Sequence, residues 1–76
     1  MEVQKTQNRL KRIEGQIRGV QNMVSLLRST DEIIIQLSAI KSAVNSLLFE
    51  LIDQEIDGAD LERMKELKKT LKRLSK

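Results

Sequence analysis

Apolar residues recur at three- and four-residue spacing along most of the chain, and two interruptions divide them into three sets. Val3, Leu10, Ile13, Ile17, Val20, Val24 and Leu27 form one stripe, which predicts a first helix from about Glu2 to Arg28. The segment 28-RSTDE-32 breaks it. Ser29 and Glu32 have capping-box spacing, and Asp31 and Glu32 suit the positive end of a new helix. The second helix is expected from about Asp31 to Glu55. Ile33, Leu37, Ile40, Val44, Leu47, Leu48 and Leu51 fill an arc too broad for one stripe, and Ile35 and Phe49 lie nearly opposite it. Such a helix needs cover on more than one face. Gly58 stands at a C-cap position, and 60-DLERMKELKKTLKRL-74 places Leu61, Met64, Leu67, Leu71 and Leu74 on one face of a shorter third helix.

At about 1.5 Å per residue the first two helices are each roughly 40 Å long. A hairpin of that length with a short third helix cannot enclose the second helix. The pattern therefore predicts an all-α, three-helix protomer, a long antiparallel hairpin plus a short C-terminal helix, in a single domain spanning residues 1–76. Two hairpins would pair as a homodimer around an antiparallel four-helix bundle. The simpler alternative is a monomeric three-helix bundle, which is marginal because a chain this short buries only about 60% of its unfolded surface. No internal repeat, linker or low-complexity segment interrupts the pattern.

Composition narrows the function classes. The chain has no Cys, His or Pro, and Phe49 is its only aromatic residue. No disulfide can form, no nucleophile stands beside a base, and no glycine-rich phosphate loop is present, so an enzyme is not expected. No apolar run is expected to span a membrane and no secretory h-region follows Met1, so a cytoplasmic protein with no membrane partner is expected. Charge is segregated. Residues 1–28 carry six basic and two acidic side chains, residues 29–57 one and six, and residues 58–76 seven and three. Basic surfaces at both ends suggest a polyanion partner.

On the first helix, Gly15 and Gly19 fall on the polar side, between Lys5 and Arg12 on one edge and Lys11 and Arg18 on the other, while Arg9 borders the apolar stripe. A glycine pair there leaves a shallow groove that a backbone or phosphate can approach. Arginine forks suit phosphates and base edges. With no aromatic residues for stacking, single strands are poor candidates, and duplex DNA read over a broad face fits better. The plainer alternative is a solvated charged face. A second basic patch, Lys65, Lys68, Lys69, Lys72 and Arg73, is explained by the negative end of the third helix's dipole, with a nucleic-acid role as the lesser alternative.

The blocks 8-NRLKRIEGQIRGVQNMV-24 and 35-IQLSAIKSAVNS-46, in that order, resemble the copper-sensitive operon repressor family, and the likeness runs from about Gln7 to Ala59. The resemblance implies a hairpin dimer, a dimer of dimers joined with the help of the third helix, and binding to double-stranded operator DNA without a helix-turn-helix. It places Arg9 at a DNA-contact position and Arg12 and Arg18 at common basic positions. A second-helix basic position of some members falls at Ser46, with Lys41 the nearest cation. The family's effector site uses a cysteine at the start of the second helix and a histidine and a cysteine near its end. Those positions hold Thr30, Glu55 and Ala59 here. None offers the soft thiolate that copper(I) or persulfide chemistry requires, there is no imidazole for nickel or cobalt, and formaldehyde responders use an N-terminal proline with the same cysteine.

Thr30 reads equally well as a helix N-cap. Gln16, Gln36 and Asn45 read as residues that set helix register. Glu50, Asp53, Glu55 and Asp57 leave the second helix's end acidic, either as a site for a hard cation or cationic ligand or, more simply, as ion-pair partners of the third helix's lysines. The expectation is a DNA-binding repressor with a degenerate effector site, responding to an unknown non-thiol, non-copper signal or to none, with no cofactor or metal site. The alternatives are an interaction protein forming mixed oligomers with a sensing paralogue, and a structural helical oligomer.

Overall fold

The computed structural model describes residues 1–74, so the last two residues of the expected domain lie outside it. It consists of α1 (Val3–Ser25), α2 (Thr30–Asp57) and α3 (Leu61–Arg73), with no strand among the described residues. The fold class is the expected one.

The helix ends follow local chemistry. The Ser29 hydroxyl accepts from the Glu32 N–H at 3.2 Å, so Ser29 caps α2 and Thr30 is its first helical residue rather than its cap. Asp60 caps α3 by accepting from the Arg63 N–H at 2.8 Å. α2 ends at Gly58 without recourse to a positive φ.

α1 stops three residues before the expected Arg28. Leu27 enters the left-handed region at φ 56, its N–H bonds to the Val24 carbonyl, and the Arg28 N–H bonds to the Met23 carbonyl. This is a Schellman closure with leucine where glycine is usual. Two consecutive leucines read as more helix, which is why the pattern overran. The left-handed conformation costs a side-chain-bearing residue about 1–2 kcal/mol, and Leu27 is 90% exposed in the protomer. Leu27→Gly is therefore expected to stabilise the protein by roughly 0.5–1 kcal/mol, after allowing for glycine's greater unfolded-state freedom. A lower denaturation midpoint would refute the strain argument.

α1 and α2 form an antiparallel hairpin held by a small core: Ile13, Ile40 and Leu47, with Val20, Ala43 and Leu51 packed against them. Thr6 is the one buried polar side chain among the described residues. Leu67 is buried on α3, with Met64 and Leu71 half-buried and Leu61 and Leu74 exposed. The Cα trace extends 51 × 30 × 12 Å. Packed helices lie about 8–10 Å apart, so the short dimension holds a single helical layer. The radius of gyration is 16.2 Å, against about 11 Å for a compact domain of this length. The protomer exposes 6360 Å², where a compact monomer of its mass would expose about 4,800 Å².

The excess exposure is apolar and sided. Leu10, Ile17 and Val24 of α1 stay exposed, as do Leu37 and Val44 of α2. Projected at about 100° per residue, all five lie on the same side of the line along which the two helices touch. Ile34, Ile35 and Phe49 are also open. By length and composition α2 is apolar enough to cross a membrane, with an 18-residue window of mean hydropathy 1.3, which corrects the expectation that no run would qualify. Only 11% of that window is buried in the protomer. Its apolar residues encircle the helix because α2 is the middle element, with neighbours needed on several sides.

Candidate nucleic-acid interface

The side of the layer opposite the open apolar face carries Lys5, Arg9 and Arg12. Arg9 points across to α2, where its Nη2 donates to Ser46 Oγ at 2.7 Å and its Nη1 pairs with Glu50 Oε2. Lys5 Nζ pairs with Glu50 Oε1 at 3.3 Å. The positions fall together because an antiparallel hairpin turning near Leu27 sets Arg9 opposite Ser46 and Glu50, one helical turn apart on α2. Arg9 is partly covered, with 30% of its side chain exposed, whereas Lys5 is 62% exposed.

Arg12 lies one turn along on the same side, with no ion pair among the described residues. Arg9, Arg12, Ile13, Gln16 and Ala43 line a cleft of about 360 Å³ between the helices. Gln16 thus faces the cleft, while Gln36 and Asn45 are exposed in the protomer. Lys11 and Arg18 stand on the outer edge of α1, and Arg18 Nη1 pairs with Glu14 at 3.1 Å. A Cβ added at Gly15 or Gly19 would meet nothing within 4 Å, so the glycine groove expected between these edges is open. Lys41 follows the buried Ile40 and projects on the other side of the α1–α2 contact line from Ser46. The structure thus brings Lys5, Arg9 and Arg12 together and leaves Lys41 apart from them.

The effector-equivalent positions do not converge within a protomer. Thr30 is exposed at the start of α2, and Glu55 lies roughly 37 Å of helix away. Arg63 Nε donates to Glu55 Oε2 at 3.1 Å, and Nη1 donates to Glu66 at 3.3 Å. The Glu55 hydrogen bond, then its charge, raises the Arg63 pKa above the usual guanidinium value. At the α1–α2 turn, Arg28 is likewise raised by its hydrogen bond to Glu32. Ala59 sits half-buried in the α2–α3 turn, its N–H bonded to the Ile56 carbonyl at 3.2 Å. The ion-pair alternative for the acidic end holds in part, with two corrections. The third-helix partner is Arg63 rather than a lysine, and Glu50 pairs with α1. Asp53 and Asp57 line an open cleft of about 500 Å³ with Glu2, Lys5, Glu50 and Gln54, and the Glu2 N–H donates to Gln54 at 3.1 Å. No group of three or more acidic, His or Cys side chains is arranged to hold a metal ion among the described residues.

Glu50 and Ser46 are the residues that single-helix reasoning missed as partners of Arg9. The register was recoverable in principle, because the capped turn at Ser29 fixes which α2 positions face Arg9.

The pattern of the metal-sensitive transcriptional repressors fits residues 2–76. The chain belongs to that family. It is 48% identical over 46 residues to the copper-sensing transcriptional repressor CsoR of Bacillus subtilis, covering 60% of this chain and 46% of that protein. It is 35% identical over 48 residues to the copper-sensing transcriptional repressor RicR of Mycobacterium tuberculosis, covering 63% of this chain and 50% of that protein. The chain thus spans about half the length of these curated relatives. No solved structure matches it.

Proposed function

We propose that this protein is a cytoplasmic, DNA-binding transcriptional repressor, not an enzyme, that works as a homo-oligomer and has lost the sensing chemistry its relatives' names describe. The observation that carries the reading is the two-sided hairpin: cations on one side, and on the other an apolar face left open by a core of a few residues. Two copies joined through Leu10, Ile17, Val24, Leu37 and Val44 would cover that face and leave Arg12, Lys11 and Arg18 outward. A duplex offers closely spaced phosphates to such a surface, and binding would weaken steeply as salt displaces them. Pairing of two such dimers would widen the surface.

The residues at the effector positions do not fit copper(I). Thr30 and Ala59 supply no soft ligand, and the Glu55 carboxylate is engaged by Arg63. Copper(I), nickel, cobalt or a persulfide donor is therefore expected to leave DNA binding unchanged in an electrophoretic mobility shift. Release of the duplex by any of these would sink the degenerate-site reading. The deciding experiment for the function is a shift assay on the chain's own upstream region with competitor DNA, at about 50 and about 200 mM salt. A complex that competitor removes at both salts would favour a partner of a sensing paralogue instead.

A further inference from the structure

On the cationic side of the hairpin one carboxylate, Glu50, ion-pairs with the first-helix cations, while Glu2, Asp53 and Asp57 line the cleft beside it without ion pairs among the described residues. Glu50 reaches from α2 to Lys5 and Arg9, and its Oε2 is shut off from solvent against the Arg9 guanidinium. Ser46, one turn earlier, accepts from the other arm of the same guanidinium. A fork gripping an oxygen anion with one nitrogen and a neutral acceptor with the other, beside a lysine ammonium, is the arrangement by which arginine and lysine hold a phosphate. Arg12, on the same side, has no such partner among the described residues.

We infer that Glu50 is an intramolecular substitute for a DNA phosphate: it occupies Lys5 and Arg9 in the free protein, and a duplex must displace it to gain those two cations. The inference rests on the DNA-binding reading and adds to it a built-in competitor that sets affinity. Exchange of Glu50 for a phosphate keeps both cations paired, so the duplex gains far less from them than from a free arginine. Each phosphate contact contributes about 0.9 to the slope of log affinity against log salt. Lys5 and Arg9 therefore count in the wild-type slope but add little to wild-type affinity, and their contribution to affinity rises when Glu50 loses its charge.

The test uses wild type, Glu50→Gln, Arg9→Gln, the Glu50→Gln/Arg9→Gln pair and Glu62→Gln, with mixed-sequence duplex DNA followed by fluorescence anisotropy across salt. Glu62→Gln removes an equal charge from an exposed α3 residue that has no ion pair among the described residues and controls for bulk charge. Glu50→Gln should bind about tenfold tighter than wild type with a similar salt slope. Glu62→Gln should change much less. Arg9→Gln should be nearly neutral in affinity alone and should cancel most of the gain in the pair. Glu50→Gln binding no tighter than Glu62→Gln would overturn the proposal and make Glu50 a structural clamp. A wild type and variants that all leave the duplex unbound at low salt would instead sink the DNA-binding reading itself. Should Glu50→Gln fold poorly, the unmodified protein decides: the Arg9 Nε–H resonance must move when duplex saturates the protein, and a stationary resonance would refute displacement.

Discussion

Val44→Asp is expected to turn an assembled helical protein into a largely unfolded monomer. Val44 is 45% exposed in the protomer, so a lone hairpin would tolerate a carboxylate there with little loss. In the proposed dimer the same position faces Leu10, Ile17, Val24 and Leu37 of the apolar side, and a buried unpaired charge costs roughly 3–5 kcal/mol. That is a large share of the roughly 5–15 kcal/mol that keeps a small protein folded. The hairpin's own core cannot make up the loss. The wild type should sediment as a dimer or larger species, and its melting temperature should rise with protein concentration, because association stabilises the native state by mass action. A monomeric wild type with a concentration-independent midpoint, and a Val44→Asp variant of equal helicity, would show that the hairpin stands alone.

Arg12→Glu is expected to weaken duplex binding by about tenfold to a hundredfold while leaving helicity and assembly intact. Arg12 is exposed and free of ion pairs among the described residues, so reversing it would remove a proposed phosphate contact without breaking an internal one. It is a cleaner probe than Arg9. Reversal of Arg9 would set a carboxylate against Glu50, and the damage to the hairpin would confuse the result. The salt slope should fall by about 1 for each protomer that engages the duplex. Unchanged affinity and slope would move the interface off this side of α1.

Helix content was legible because it is local. Apolar spacing, the Ser29–Glu32 box and the Asp60 cap each act within a few residues, and each element lies close to its expected place. The expectation failed where a leucine adopted the backbone of a glycine, since no side chain at Leu27 announces a left-handed turn. The candidate DNA surface was legible only as composition. Its cations could be placed on a wheel, but whether each was free depended on what α2 brought opposite.

The sequence by itself therefore determined the three helices, the absence of thiol and imidazole chemistry, and the concentration of positive charge on α1, because periodicity, capping and side-chain identity are properties of short segments. Only the tertiary structure decided that Ile13 and Val20 turn inward while Leu10, Ile17 and Val24 stay open. It alone also decided that Arg9 is engaged by Ser46 and Glu50 while Arg12 is not. Both outcomes depend on the angle and register at which two helices meet, and a pair of side chains distant in sequence interacts only once that geometry exists.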